Sequence, residues 1–65
     1  MTVYVIKDTE GNTLEICSSV YTAFVWLRDE LKVEFPVKVK RLDSHLIIEA
    51  EDESYVILKW TVFEG

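Results

Sequence analysis

The chain opens with two segments in which apolar and polar residues alternate as they do in β-strands. Thr2–Asp8 is dense in β-branched and aromatic residues, which favour strands. Thr13–Cys17 alternates more regularly, with Leu14 and Ile16 on one side and polar residues or the cysteine on the other. A Gly-Asn pair between the two segments tolerates positive φ and is typical of a turn. These features predict a β-hairpin.

The hydrophobic period then changes to that of a helix. Ser18 and Ser19 offer an N-cap hydroxyl, and apolar positions follow a helical repeat from Val20 to about Val33. Pro36 disfavours helical backbone at the residue before it, so we expect the helix to end by Val33 or the next residue, Glu34. The predicted core-facing stripe consists of Val20, Ala23, Phe24, Leu27 and Leu31.

Three more strands are predicted after the helix. They cover Val37–Lys40, Leu46–Glu51 and Tyr55–Phe63, with turn residues between them. The first alternates valine with lysine, which is typical of an edge strand. The last is the longest and is apolar on both faces. In the middle strand we expect Leu46 and Ile48 to point inward.

The element order ββαβββ predicts one α+β domain over residues 1–65, in which a single helix packs on one face of a mainly antiparallel five-stranded sheet. If consecutive strands form hairpins, the first and last strands can be neighbours. The strand order is then 2-1-5-4-3. The first and fifth strands are apolar on both faces, which is what central strands require.

Composition narrows the class of protein. With 49% hydrophobic and 12% aromatic residues, the chain is too apolar for intrinsic disorder, and one cysteine cannot close an internal disulfide. Its apolar runs are far shorter than the ~20 residues that span a bilayer, and no signal-peptide pattern opens the chain. We therefore expect a soluble cytoplasmic protein. At 65 residues it has little sequence left to line a catalytic cleft.

One helix cannot cover both faces of this sheet, so apolar surface is left over. If the even-numbered residues from 56 to 62 face the helix, the odd-numbered residues of that strand face away from it. If the odd-numbered residues face the helix instead, a similar number of apolar side chains is left uncovered. Trp26 and Val33 lie off the core stripe, although Trp26 can also fold over the flank of the helix. We assign a partner-binding surface, most simply for a homodimer. Its residues are Tyr4, Ile6, Trp26, Val33, Tyr55, Ile57 and Phe63.

The net charge of −5 is distributed unevenly. Residues 43–53 carry five acidic side chains and no Lys or Arg, whereas residues 38–41 carry three basic ones. The acidic segment is a solvated turn, a set of cross-strand partners for the neighbouring lysines, or a site for a basic partner. Glu49 and Glu51 on one strand face would stand about 6.6 Å apart, comparable to neighbouring phosphates. The candidate acidic residues are Asp43, Glu49, Glu51, Asp52 and Glu53.

Residue types that suggest catalysis occur without the spacing that catalysis needs. Asp43, Ser44 and His45 are consecutive in a predicted turn, where they cannot readily take up the relay geometry of a hydrolase triad. Cys17 is expected to be a small buried hydrophobe. The sequence has no metal-ligand spacing and no glycine-rich phosphate loop. We predict no catalytic residue, no metal site and no cofactor.

The sequence therefore favours a non-enzymatic interaction module that forms a homodimer or binds a larger protein. The alternative is a small acidic inhibitor, of the type that phages and mobile elements encode, which mimics nucleic acid to block a host nucleic-acid-binding protein. A sequence pI of about 4.6 argues against direct binding of nucleic acid, and no membrane partner is expected.

Overall fold

A computed structural model describes residues 1–51 and 53–62 of the chain. Within these residues the element order is ββαβββ, as predicted. The elements are β1 (Thr2–Lys7), β2 (Thr13–Cys17), α1 (Val20–Glu30), β3 (Lys38–Arg41), β4 (His45–Glu49) and β5 (Ser54–Thr61). The fold is α+β.

The five strands form one antiparallel sheet in the order β2-β1-β5-β4-β3, which confirms the predicted topology. The longest strand, β5, lies in the centre and pairs with β1 from Thr2↔Thr61 to Lys7↔Val56. The edges are β2 and β3. The valine–lysine alternation of β3 therefore marked an edge strand correctly.

A β-bulge interrupts the pairing of β1 with β2. Ile6 lies opposite Glu15, but Lys7 lies opposite Thr13, so Leu14 is the extra residue on β2. The bulge changes the alternation of that strand. Leu14 packs against the hydrophobic core, whereas Ile16 is 58% exposed. The expectation that Leu14 and Ile16 share one environment is therefore wrong.

The helix begins as predicted and ends earlier. The Ser19 hydroxyl accepts a hydrogen bond from the Thr22 N–H at 3.1 Å, which caps the first turn. The helix ends at Glu30, because Lys32 takes a left-handed conformation (φ 57°) and the Val33 N–H donates to the Leu27 carbonyl at 3.1 Å. Its buried residues are Ala23 and Leu27, while Leu31, which was predicted to face the core, is 38% exposed.

The helix covers the sheet face that carries the odd positions of β5. Tyr55 and Ile57 lie opposite Ile48 and Leu46, which are the inward residues of β4. This register follows from the hairpin that the Ala50 N–H closes on the Glu53 carbonyl at 2.9 Å. The phase in which the even positions of β5 face the helix is therefore wrong.

The helix lies closest to β1 and β2. On the β3 side, the segment after the helix continues the cover: Val33 is buried, Val37 packs against the core, and the Phe35 ring meets Phe24 edge to face at 5.9 Å. In the described part of the chain, no helix is long and apolar enough to cross a bilayer.

Candidate interaction surface

Most of the predicted apolar partner residues lie in the core or pack against it. Ile6 and Ile57 are 0% and 1% exposed, and Tyr55 and Val33 are also buried. Tyr4 and Trp26 are partly buried and pack against that core. All six side chains belong to the core or pack against it, so assigning them to an outward surface is corrected. Phe63 lies outside the described residues.

The surplus of apolar side chains exists, but other residues carry it. Alternation places a second set on the sheet face away from the helix, which we call the open face. Helix α1 and the 31–37 segment lie on the other side of the sheet, so neither covers the open face. The apolar residues of the open face are Val3, Val5, Ile16, Ile47, Val56, Leu58 and Trp60.

These residues are neighbours across the strands. Ile16 lies opposite Val5, and Val5 lies opposite Leu58, so one apolar row crosses β2, β1 and β5. A second row joins Val3 to Trp60. Directly paired side chains on one face of a sheet contact each other, which makes the patch continuous.

Exposure is greatest at one end of the open face. Trp60 is 59% exposed, although it lies on the central strand of the sheet. Met1 and Val62 extend the pairing beyond it through backbone hydrogen bonds of 2.9 and 2.7 Å, and both side chains are exposed. The apolar patch therefore continues to the end of the sheet that bears the N-terminus.

The opposite end of the open face is polar. It bears Lys7, Lys38 and Lys40 with Glu49, which is the one acidic residue among the described strand positions of this face. The Lys40 Nζ lies 3.2 Å from the Glu49 carboxylate. In a chain with a net charge of −5, this face is thus not acidic.

The predicted acidic residues do not form one patch. Asp43 lies in the β3–β4 turn, whereas Glu51 and Glu53 lie beyond the other end of β4. Strand β4 ends at Glu49, so Glu49 and Glu51 do not share a strand face at phosphate-like spacing. The Lys40–Glu49 contact instead matches the cross-strand interpretation. Asp52 lies outside the described residues.

The Asp43-Ser44-His45 turn borders a shallow depression of about 450 Å³. The Ser44 Oγ lies 3.3 Å from the His45 Nδ1, and both residues are adjacent in the chain. Among the described residues, no carboxylate hydrogen-bonds the imidazole. A hydrolase triad requires a carboxylate on the nitrogen opposite the serine, so this contact does not reproduce its geometry.

Cys17 is buried at 6% exposure beside the core. Burial raises the pKa of its thiol, and the nearby Glu15 carboxylate raises it further. Since the thiolate is the nucleophilic form, these surroundings keep the sulfur unreactive. Within residues 1–51 and 53–62, no three His, Cys, Asp or Glu side chains are grouped so that they could hold a metal ion.

Comparison of the chain with protein-family models, with curated proteins and with solved structures gives no match. Function is therefore argued from the geometry of the open face.

Proposed function

We propose that this protein is a non-enzymatic interaction module that works as a homodimer, with the open faces of two copies packed against each other. The observation that carries the proposal is the row Ile16–Val5–Leu58 with Val3 and Trp60 beside it, on a face that neither the helix nor its following segment covers.

The size of the open face is sufficient for a specific dimer. Five strands about 4.8 Å apart, and eight residues of β5 at about 3.3 Å each, give a face of about 24 by 26 Å. Covering it would bury about 600 Å² on each copy and about 1,200 Å² in total, which is the lower end of the range for stable interfaces. A concentration-dependent dimer is therefore expected.

The distribution of charge keeps most acidic residues out of the proposed interface. Two chains of net charge −5 repel each other at long range. The described strand positions of the open face bear one acidic residue, Glu49, which Lys40 contacts, and Lys7 and Lys38 lie at the same end. The excess negative charge of the described residues therefore lies outside the open face, and the lysines of this face lie at the end away from Trp60.

Trp60 is the expected anchor of the interface. Tryptophan is enriched among residues that contribute most to binding, and this one is 59% exposed on the central strand. Packing two twisted sheets about 10 Å apart would bury it between them, as in a β-sandwich.

The proposal is tested by light scattering on a concentration series. The mass should rise toward twice the 7.6 kDa of one chain. Trp60→Glu should weaken the dimer at least tenfold, because it buries an unpaired charge in the interface. The matched control is Tyr21→Glu, which adds the same charge at a residue 77% exposed on the helix and should leave the dimer intact.

Circular dichroism should show that both variants keep the fold. A wild-type mass of one chain at every concentration would refute the homodimer. Equal weakening by Tyr21→Glu and Trp60→Glu would also refute it, because it would show a non-specific effect of charge.

A further inference from the structure

A second surface lies along the exposed β3 edge of the sheet. All four residues of β3 are exposed, and this strand has a neighbour on one side only. Beside it, the helix and the 31–37 segment enclose a groove of about 480 Å³. The groove is lined by Tyr21, Phe24, Val25, Phe35, Val37 and Val39, with Pro36 and Arg28 at its border.

The groove is an apolar site next to unpaired backbone. Val39 is 46% exposed and Phe35 is 41% exposed, although both are large hydrophobic residues. Their exposure arises because the helix lies over β1 and β2 and does not reach β3. A strand added beside β3 would place alternate side chains next to Val39 and into this groove.

The hydrogen-bond pattern identifies which backbone groups are free for such a strand. The Leu42 N–H donates to the His45 carbonyl at 2.9 Å, so Leu42 and His45 form a hydrogen-bonded pair. Antiparallel pairs alternate, and Lys40 and Lys38 therefore also point their backbone groups toward β4. The N–H and C=O groups of Val39 and Arg41 consequently point away from the sheet.

The charge of the edge determines the chemistry of the occupant. Lys38, Lys40 and Arg41 give β3 three positive charges in four residues, of which Lys40 also contacts Glu49 on β4. A second β3 is disfavoured here, because antiparallel pairing of two copies would set Lys38 opposite Lys40, or Lys40 opposite itself. An acidic strand is favoured, since its carboxylates would lie beside these cations. Because salt screens charges that lie more than about 8–10 Å apart, the cations of β3 affect an adjacent strand more than the net charge of the whole chain does.

We propose that the edge of β3 and the adjoining groove bind an extended acidic peptide by β-strand addition. The bound segment alternates Glu or Asp, beside Lys38 and Lys40, with apolar side chains that enter the groove. Its backbone hydrogen-bonds to Val39 and Arg41. The groove lies on the helix side of the sheet and the free backbone groups lie at its edge, whereas Lys38 and Lys40 lie at the β3 border of the open face, far from Trp60.

The probe is a synthetic peptide, acetyl-Glu-Val-Glu-Phe-Glu-Val-Glu-amide, added to ¹⁵N-labelled full-length protein. Amide exchange at Val39 and Arg41 should slow when the peptide binds, because their N–H groups become hydrogen-bonded. The peptide in which lysine replaces every glutamate has the same apolar residues and should bind at least tenfold more weakly.

Two double variants with the same net charge test the role of the edge cations. Lys38→Gln with Lys40→Gln should weaken binding of the acidic peptide about tenfold, whereas Lys7→Gln with Lys59→Gln should change it less than about twofold. Val39→Pro removes an outward N–H that the sheet does not use, and it should abolish binding while the fold is retained.

Three results would overturn the proposal: equal binding of the lysine peptide, equal effects of the two double variants, or protection of amides in other strands in place of those of Val39 and Arg41. The Trp60→Glu protein separates this proposal from the homodimer, since it should bind the peptide at least as tightly as the wild type even when it is monomeric.

Discussion

At the scale of single residues, Asp8 organises the β1–β2 turn. Its Oδ1 accepts hydrogen bonds from the Glu10 and Asn12 N–H groups at 2.9 Å each, and its Oδ2 accepts one from the Asn12 side chain at 3.1 Å. Its backbone carbonyl accepts the Gly11 N–H at 3.2 Å, and Gly11 has a φ of 86° that favours glycine. Asp8 thus accepts hydrogen bonds from three other residues of the turn.

These bonds make the turn sensitive to pH. The backbone hydrogen bond from Asn12, ahead of the other donors, lowers the pKa of Asp8 below its ordinary 3.8. A lowered folded-state pKa stabilises the protein above the unfolded pKa, and that contribution is lost as the pH falls through the folded value. The free energy of unfolding should therefore fall below about pH 4, and Asp8→Asn should flatten this dependence.

Urea denaturation at pH 6.5 and at pH 3 measures the effect. Asp43→Asn is the matched control, because Asp43 lies in the other turn region, between β3 and β4. The role of Asp8 would be contradicted if the two variants had the same pH dependence.

The two tryptophans differ in burial, which residue type alone does not predict. Trp26 packs against the core from the flank of the helix, whereas Trp60 is 59% exposed on the central strand. The helical periodicity allowed Trp26 either position. Trp60 could be located only once the pairing Val3↔Trp60 fixed its face.

At the scale of elements, the helix depends on its cap. It has 11 residues, which is short for a helix to be stable without tertiary contacts, and no acidic residue lies in its first turn. The Ser19 hydroxyl is bound by the Thr22 N–H and lies 2.8 Å from the Thr22 hydroxyl. Ser19→Ala should lower the free energy of unfolding by about 1 kcal/mol.

Ser18→Ala is the control for this prediction, because Ser18 is an exposed serine directly before the cap. Chemical denaturation should show a change for Ser19→Ala only. Equal losses in the two variants would contradict the capping role.

The elements themselves could be predicted because each carries a local signal. The alternation of β1 and β2, the helical repeat from Val20, and Pro36 were sufficient for the element order and the topology. The end of the helix was not predictable, since nothing in the local pattern marks Lys32 for a left-handed conformation. The bulge at Leu14 also left no signal, because an apolar residue fits either face of an edge strand.

The sequence predicted that apolar side chains would remain uncovered by the helix, but not which residues these would be. Strand β5 is apolar on both faces, so a period of two residues does not tell which face meets the helix. The pairing of β4 with β5 determines this, through the hairpin that joins Ala50 to Glu53. The same register buries Ile57 and leaves Leu58 on the open face. The presence of uncovered apolar surface could be predicted without this register, because one helix covers one sheet face whichever set of β5 residues it contacts.

At the scale of the whole molecule, the sheet has one apolar layer on each face, and the two layers have different surroundings. The helix side contains the core of Ile6, Ile48 and Ile57 with α1. Among residues 1–51 and 53–62, the apolar side chains of the open side have apolar neighbours within the sheet only. In a 65-residue domain, a core of this size gives limited stability, so burial of the second layer against another copy would add substantially to it.

Folding and dimerisation should therefore be linked. A ligand that binds only the folded state raises its stability with concentration, and in the proposed homodimer the second copy acts as that ligand. The melting temperature should rise by about 5 °C or more for a hundredfold increase in protein concentration, given that ~1 kcal/mol shifts a domain of this size by about 4–8 °C. Trp60→Glu should remove the dependence, whereas Tyr21→Glu should retain it. Differential scanning calorimetry at several concentrations measures this, and equal melting temperatures for the wild type at all of them would contradict the link.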